Sequence, residues 1–221
     1  MTLSLIDKQD TVEIVRDQIA AILAIESASQ VAQAITAGKP APNNWKLRVY
    51  QERSNPWDIF MPDQADNSPV VNVWWDSATY DKKASNIFER QKTDARINVD
   101  CYGYGISADD LSGGHVAGDQ SAAESVQRAV RLVRNILMSA EYTYLALQGT
   151  VWSRWPSSVS IFQPQQGGQN VSQVVGARIV FDVEFNEHSP QFDVVELELL
   201  TVAVSRAEDG QIVINADYDY T

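Results

Sequence analysis

Few residues in this chain could carry acid–base or nucleophilic chemistry. The two histidines are His115 and His188, and histidine is the side chain whose ordinary pKa lies nearest neutrality. His115 falls in a glycine-bearing loop, His188 between Glu187 and Ser189. Glu184, Glu187 and His188 suggest a metal set, or a small metal-dependent hydrolase using Glu184 and His188. Residues 184 and 187, however, fall on opposite faces of a strand, and a metal needs three or four converging ligands. The single cysteine, Cys101, alternates with apolar residues. That reads as a core thiol, because a reactive thiolate needs an accessible, electropositive setting. Tyr102-Gly-Tyr-Gly105 lacks the lysine and the spacing of a phosphate-binding loop. Neither a Gly-x-Ser-x-Gly elbow nor His-Glu-x-x-His occurs. No catalytic, cofactor or metal site is expected, and no enzyme.

The elements that would position these residues are clearer. From Gln91 to Gly103 the odd positions include Ala95, Ile97, Val99 and Cys101, and the even ones Lys92, Asp94, Arg96, Asn98 and Asp100. Period two predicts a strand with a dry and a wet side. A loop from Gly103 to Gly118 follows, whose glycines permit positive-φ turns. Ser121 and Glu124 have the spacing of a capping box. Val126, Ala129, Val130, Val133, Ile136 and Leu137 then make one stripe of a helix. An earlier helix runs from a cap at Asp10, with Glu13 three residues on, to about Ala37, ended by Gly38 and Pro40. Its stripe is Val12, Val15, Ile19, Ile22 and Leu23.

Strands are also predicted at Trp45–Gln51, Val70–Trp75, Val151–Phe162, Val175–Phe185 and Val195–Leu199. Pro156 places its strand at an edge or a bulge. Residues 52–69 and 163–173 read as protruding loops, Ser77–Arg90 as a polar excursion, and Tyr142–Leu147 as a short aromatic bridge. Residues 206–221 form a C-terminal extension with a turn at Glu208-Asp-Gly210. The reading is a single α+β domain over 1–221: a mainly antiparallel twisted sheet, two long helices on one face, and an extended hairpin.

A net charge of −12 disfavours a protein that grips nucleic acid through its phosphates. One cysteine excludes a disulfide framework and suggests synthesis in a reducing compartment. The N-terminal residues lack the pattern of a signal peptide, and no apolar run approaches the ~20 residues of a membrane span. No membrane association is expected.

Interface candidates come from the aromatic and basic residues. Adjacent Trp74 and Trp75 point to opposite sides of a strand; Trp75 and Trp155 are assigned to the core, Trp74 and Trp152 to an interface, where aromatics concentrate. Arg128, Arg131 and Arg134 form a basic flank on the central helix, suited to an acidic neighbour. Gln165 and Gln166 mark the tip of the hairpin. Tyr218 and Tyr220 lie in an acidic tail that is either frayed or laid on a neighbour.

In element order from 10 to 205, and most specifically from Arg96 to Leu137, the chain resembles tail terminator (tail completion, neck) proteins of long-tailed bacteriophages. The resemblance rests on Asn98-Val-Asp-Cys-Tyr-Gly-Tyr-Gly105 and on Ala122-Ala-Glu-Ser-Val-Gln-Arg-Ala-Val-Arg-Leu-Val133, followed by an aromatic strand and a long hairpin. The chain departs from shorter members at Ser77–Arg90 and in its acidic tail. The resemblance implies a virion protein, assembled in the host cytoplasm as a homohexameric ring. The ring caps the tail tube, ends its polymerisation and joins it to the head. Its partners are copies of itself, the tube protein, the sheath if the tail contracts, and a head–tail connector or adaptor. DNA passes through without tight binding. A head–tail adaptor or a tube-like ring subunit is the alternative within the same virion.

Overall fold

The computed structural model describes residues 5, 7–60, 68–83, 90–109, 114–166, 169–170, 173–188, 199–205 and 212–219. They belong to two compact units, Met1–Ser189 and Pro190–Thr221. The first contains helix α1 (Thr11–Thr36), strands β1 (Arg48–Gln51), β2 (Val70–Asp81) and β3 (Arg90–Tyr104), a small ladder of β4 (Ala108–Asp109) and β5 (His115–Val116), and helix α2 (Gly118–Leu137). It continues with β6 (Val151–Phe162), the short pair β7 (Gln165–Gln166) and β8 (Gln169–Asn170), and β9 (Val174–His188). The second unit pairs β10 (Leu199–Ser205) with β11 (Ile212–Asp219), antiparallel.

The main sheet has the order β1-β2-β3-β9-β6. Only β1 and β2 run parallel, so the sheet is mixed and mostly antiparallel. The class is α+β, as the sequence predicts. The core lies between one sheet face and the helices. Val71, Val73, Ala95, Ile97, Val99, Cys101, Ile179, Phe181, Val183 and Phe185 meet the stripes of α1 and α2 there. Every dry-side residue expected in β3 is buried, as are Val12, Val15, Ile19, Ile22 and Leu23 of α1.

The start of α1 is built as predicted: the Asp10 N–H donates to Glu13 Oε2 at 3.0 Å. A contact distant in sequence adds to it, because the Thr11 N–H and hydroxyl both donate to buried Glu187 Oε1, at 3.1 and 3.0 Å. A carboxylate there also faces the positive end of the helix dipole. By length and composition α1 could cross a membrane, with a mean hydropathy of 1.3 over its most apolar stretch. Glu26 and several polar side chains interrupt its apolar residues, so the helix contains no unbroken apolar run of that length. Its inner stripe is core, and Ile25 and Ile35 are exposed on its outer side.

Several predicted boundaries move. Trp45 closes a 3-10 turn, Pro42–Trp45, and the strand begins only at Arg48. β2 runs on to Asp81, so Ser77–Asp81 are ladder partners of Lys92–Arg96 and not a polar excursion. In the 52–69 segment, Pro56–Phe60 form a 3-10 turn that lies on the sheet. Phe60 is buried there against Tyr104, ring centroids 5.5 Å apart. The 142–147 bridge is a 3-10 turn, Ala140–Tyr142, followed by turns. The strand expected at 195–199 and the turn at 208–210 lie outside the described residues, except for Leu199 in β10. Asp217–Asp219 are paired with Leu199–Thr201, which replaces the frayed end.

Two corrections concern the centre of the chain. Helix α2 begins at Gly118, so Ser121 and Glu124 lie inside it and form no capping box. The start is held instead by Ser107, whose hydroxyl accepts the Gly118 N–H at 3.1 Å. The glycines of Tyr102-Gly-Tyr-Gly105 are not there for positive φ; among the described glycines only Gly38 and Gly149 have it. They let α2 approach. A Cβ on Gly103 would stand 2.5 Å from the Ala122 carbonyl oxygen, and one on Gly105 would collide with the Gly118 backbone.

Candidate assembly surfaces

The second sheet face, away from the helices, is where sequence and structure diverge most. The wet side of β3 is wet only at its first end. Lys92 is half-buried and Asp94 and Arg96 are exposed, whereas Asn98 and Asp100 are buried. Asp100 is enclosed because three neighbours converge on it. Arg178 of β9 is directly across in register and donates from Nε and Nη2 at 2.7 and 2.9 Å. The Trp74 indole N–H donates at 3.0 Å and the Tyr102 hydroxyl at 3.3 Å. The hydrogen bonds and charge of Asp100 hold the Arg178 guanidinium above its ordinary pKa against the opposing effect of burial. Burial, then Asp100, pushes the Tyr102 phenol far up. Arg178 also stacks over the Trp74 ring at 4.7 Å. Phe162 packs edge-on to Tyr102, its ring occupying the space that a Cβ on Gly176 would fill.

These side chains floor a groove of about 520 Å³. Its walls come from both loops flagged in the sequence, Glu52–Trp57 on one side and Gln163–Gln165 on the other. Trp74, an interface candidate, is half-buried in this groove. Its neighbour Trp75, assigned to the core, is 43% exposed. Its parity matches core residues Val71 and Val73, but Val73 is the last fully buried core residue of β2, and the ladder bulges after Trp75 before Ala78 packs on the core again.

The outermost strand, β6, carries two further tryptophans. Trp152 is exposed as expected; Trp155, assigned to the core, is 66% exposed. Bulges at Val151/Ser153 and Pro156/Ser158 reset the alternation, so parity fails along this strand. Val159 and Ile161 are exposed too. The one charged residue of β6, Arg154, is folded inward. Its guanidinium donates to the Leu137 carbonyl, to Ser139 O at 2.6 Å and to Thr143 O at 2.8 Å, which closes the C-terminal end of α2. Burial lowers its pKa.

The arginine flank divides. Arg128 Nη1 donates to Asn44 Oδ1 at 2.8 Å, so it serves the fold. Arg131 and Arg134 are exposed. Gln165 is exposed at the mouth of the groove, and Gln166 pairs with Gln169. Tyr218 lies in β11 opposite Leu200, and Tyr220 lies outside the described residues.

The residues considered for catalysis are dispersed. Burial pushes the Cys101 thiol far up. His115 contacts Asp109 at 3.2 Å on the surface. Glu187 caps α1 while Glu184 contacts Lys92 and Ser153. Among the described residues no group of three or more His, Cys, Asp or Glu could hold a metal. Compared with known proteins, the chain matches no protein-family model and no curated protein.

Proposed function

We propose that the chain is a structural subunit of a long-tailed phage virion, a tail terminator. It assembles in the host cytoplasm as a hexameric ring that caps the tail tube, stops its polymerisation and joins it to the head-side connector or adaptor. The observation that carries this reading is the surface of β6. Trp152, Trp155, Val159 and Ile161 are exposed along one strand of a chain with net charge −12. A run of exposed apolar side chains on an otherwise acidic protein marks a surface that becomes covered.

The rest of the body suits a ring. In this reading the sheet is twisted, and β6 with β9 forms an extended hairpin reaching a neighbouring copy. The excess of acidic residues lets DNA pass through the ring without being gripped. The tube protein, and the sheath if the tail contracts, meet one ring face, the connector the other.

Negative-stain imaging of the purified chain, alone and mixed with polymerising tube protein, tests the reading. Discrete single rings and shorter tubes are the expected result. Open stacks of rings would favour a tube-like subunit, because matching faces propagate. A strictly monomeric protein that leaves tube length unchanged overturns the proposal.

A further inference from the structure

We infer that the outer edge of β6 is a strand-addition site for the free edge of β2 in a second copy, so that the sheet continues from one subunit into the next. The inference rests on the ring reading and names the contact that would build it.

β6 ends the sheet, and no strand lies beyond it among the described residues. Exposed edges are normally blunted with charges, prolines or brevity. This one is twelve residues long, and its only charge, Arg154, is buried against α2. Pro156 and the bulges disturb its first half; from Ser158 to Phe162 its ladder with β9 is regular. Ser157, Ser158, Val159, Ser160 and Ile161 are all exposed.

The opposite side of the same sheet offers a matching edge. β1 covers β2 only from Val70 to Val73, and the Trp75 N–H is taken by the Glu52 carboxylate at 3.0 Å. From Ser77 to Tyr80, β2 carries no further strand on that side among the described residues. Direction also matches. β2 and β9 are both antiparallel to β3, and β6 is antiparallel to β9, so β2 runs antiparallel to β6. A head-to-tail copy with its sheet facing the same way therefore meets β6 in antiparallel sense, a heterologous contact that rotation can close into a ring.

Side-chain chemistry fixes the register. Val159 and Ile161 stand opposite Ile179 and Ala177, on the helix side; Ala78 and Tyr80 stand opposite Ala95 and Thr93, on the same side. Ser160 is opposite Arg178, and Ser77 and Thr79 are opposite Arg96 and Asp94, on the open side. Placing Ser160 beside Thr79 sets Val159 against Tyr80 and Ile161 against Ala78. Apolar then meets apolar and hydroxyl meets hydroxyl, the pairings that stabilise neighbouring strands. A strand without exposed charge is also the edge an acidic copy can approach without repulsion.

The test uses the full chain. Val159→Glu with Ile161→Glu places acids on an exposed strand; the circular dichroism and melting should stay as in the parent, while self-association weakens roughly tenfold or more. Separately, Ser160→Cys and Thr79→Cys proteins are mixed and oxidised. A disulfide-linked dimer in the mixture, absent from either protein alone, is expected. Self-linkage of Ser160→Cys, or rings that form without a cross-link from Ser158→Cys or Ser160→Cys to Thr79→Cys, overturns this contact and leaves the ring reading standing. A parent chain that stays monomeric at every concentration overturns both.

Discussion

Arg178 on β9 and Asp100 on β3 face each other in register and are joined by two hydrogen bonds of 2.7 and 2.9 Å, on the sheet face opposite the helices. The Asp100 side chain is 4% exposed and that of Arg178 37%. The acid is therefore the member that cannot turn to water. Its second oxygen also accepts from Trp74 and Tyr102, so one carboxylate satisfies donors from β2, β3 and β9. The cluster fixes the floor of the groove and the position of Trp74.

Arg178→Leu should accordingly destabilise the first unit more than its partly exposed side chain suggests. It leaves a buried carboxylate with only two neutral donors, a loss of about 3 kcal/mol. Asp100→Asn keeps two acceptor sites for Trp74 and Tyr102 and should cost less. Urea unfolding of both variants checks the order; equal losses would show that Asp100 is relieved by water.

Legibility followed the physics of each element. The core side of β3 and the inner stripe of α1 could be read because each residue's environment is set by its own period. The burial of Asp100 could not, because it depends on Trp74 and Arg178 arriving from other strands. The misplaced start of α2 has the same origin: Ser107 lies eleven residues before the N–H it accepts. Trp155 lies outside the core because bulges in β6 break the period on which parity depends. Asp10 and Glu13 were legible because both partners of that cap lie within one turn. The exposed apolar run of β6 had a usable signal that parity obscured, namely twelve residues with a single charge.

Arg154 supports a second prediction. It gives its donors to the last carbonyl of α2, Leu137, and to Ser139 and Thr143 in the turns that follow, rather than to a carboxylate, and there it also meets the negative end of the helix dipole. Arg154→Met removes these bonds from a buried site and should cost about 2 kcal/mol. Lysine, with one compact ammonium, cannot span the three carbonyls and should restore only part. Hydrogen exchange should show faster opening near Leu137 in both variants. Unchanged protection there would mean the turns after α2 hold its end without Arg154.

A pH dependence follows from Asp94 and Glu184, directly opposite each other on β3 and β9. Asp94 is exposed, but partial desolvation by its neighbours on the sheet, then the charge of Glu184, raises its pKa; Lys92 opposes this and Asp81 adds to it. A carboxyl with a raised folded pKa holds its proton more tightly folded than unfolded. Its stabilisation is complete below the ordinary carboxylate pKa and is lost as pH rises through the raised value. Asp94→Asn should remove that decline, so the melting temperature of the variant should gain on the parent from acid to neutral pH. Parallel melting profiles would remove Asp94 as the cause.

The arginine flank gives the last prediction. Arg131 and Arg134 are exposed on α2, whereas Arg128 is tied to Asn44. In the proposed ring of a chain with net charge −12, two exposed guanidiniums on one helix would attract an acidic surface of another copy. Reversal of both, Arg131→Glu with Arg134→Glu, should weaken ring assembly and make what remains less sensitive to salt. The cost to folding should be small, about 0.5 kcal/mol, because Arg134 sits in the last turn, where the helix dipole favours a cation. Arg128→Glu should behave in the opposite way, lowering the melting temperature through the lost Asn44 bond before it touches assembly. Light scattering at two ionic strengths, set beside thermal melts, separates the two effects. Rings that persist unchanged in the double reversal would exclude this flank from the subunit contact and leave Arg131 and Arg134 as solvated surface.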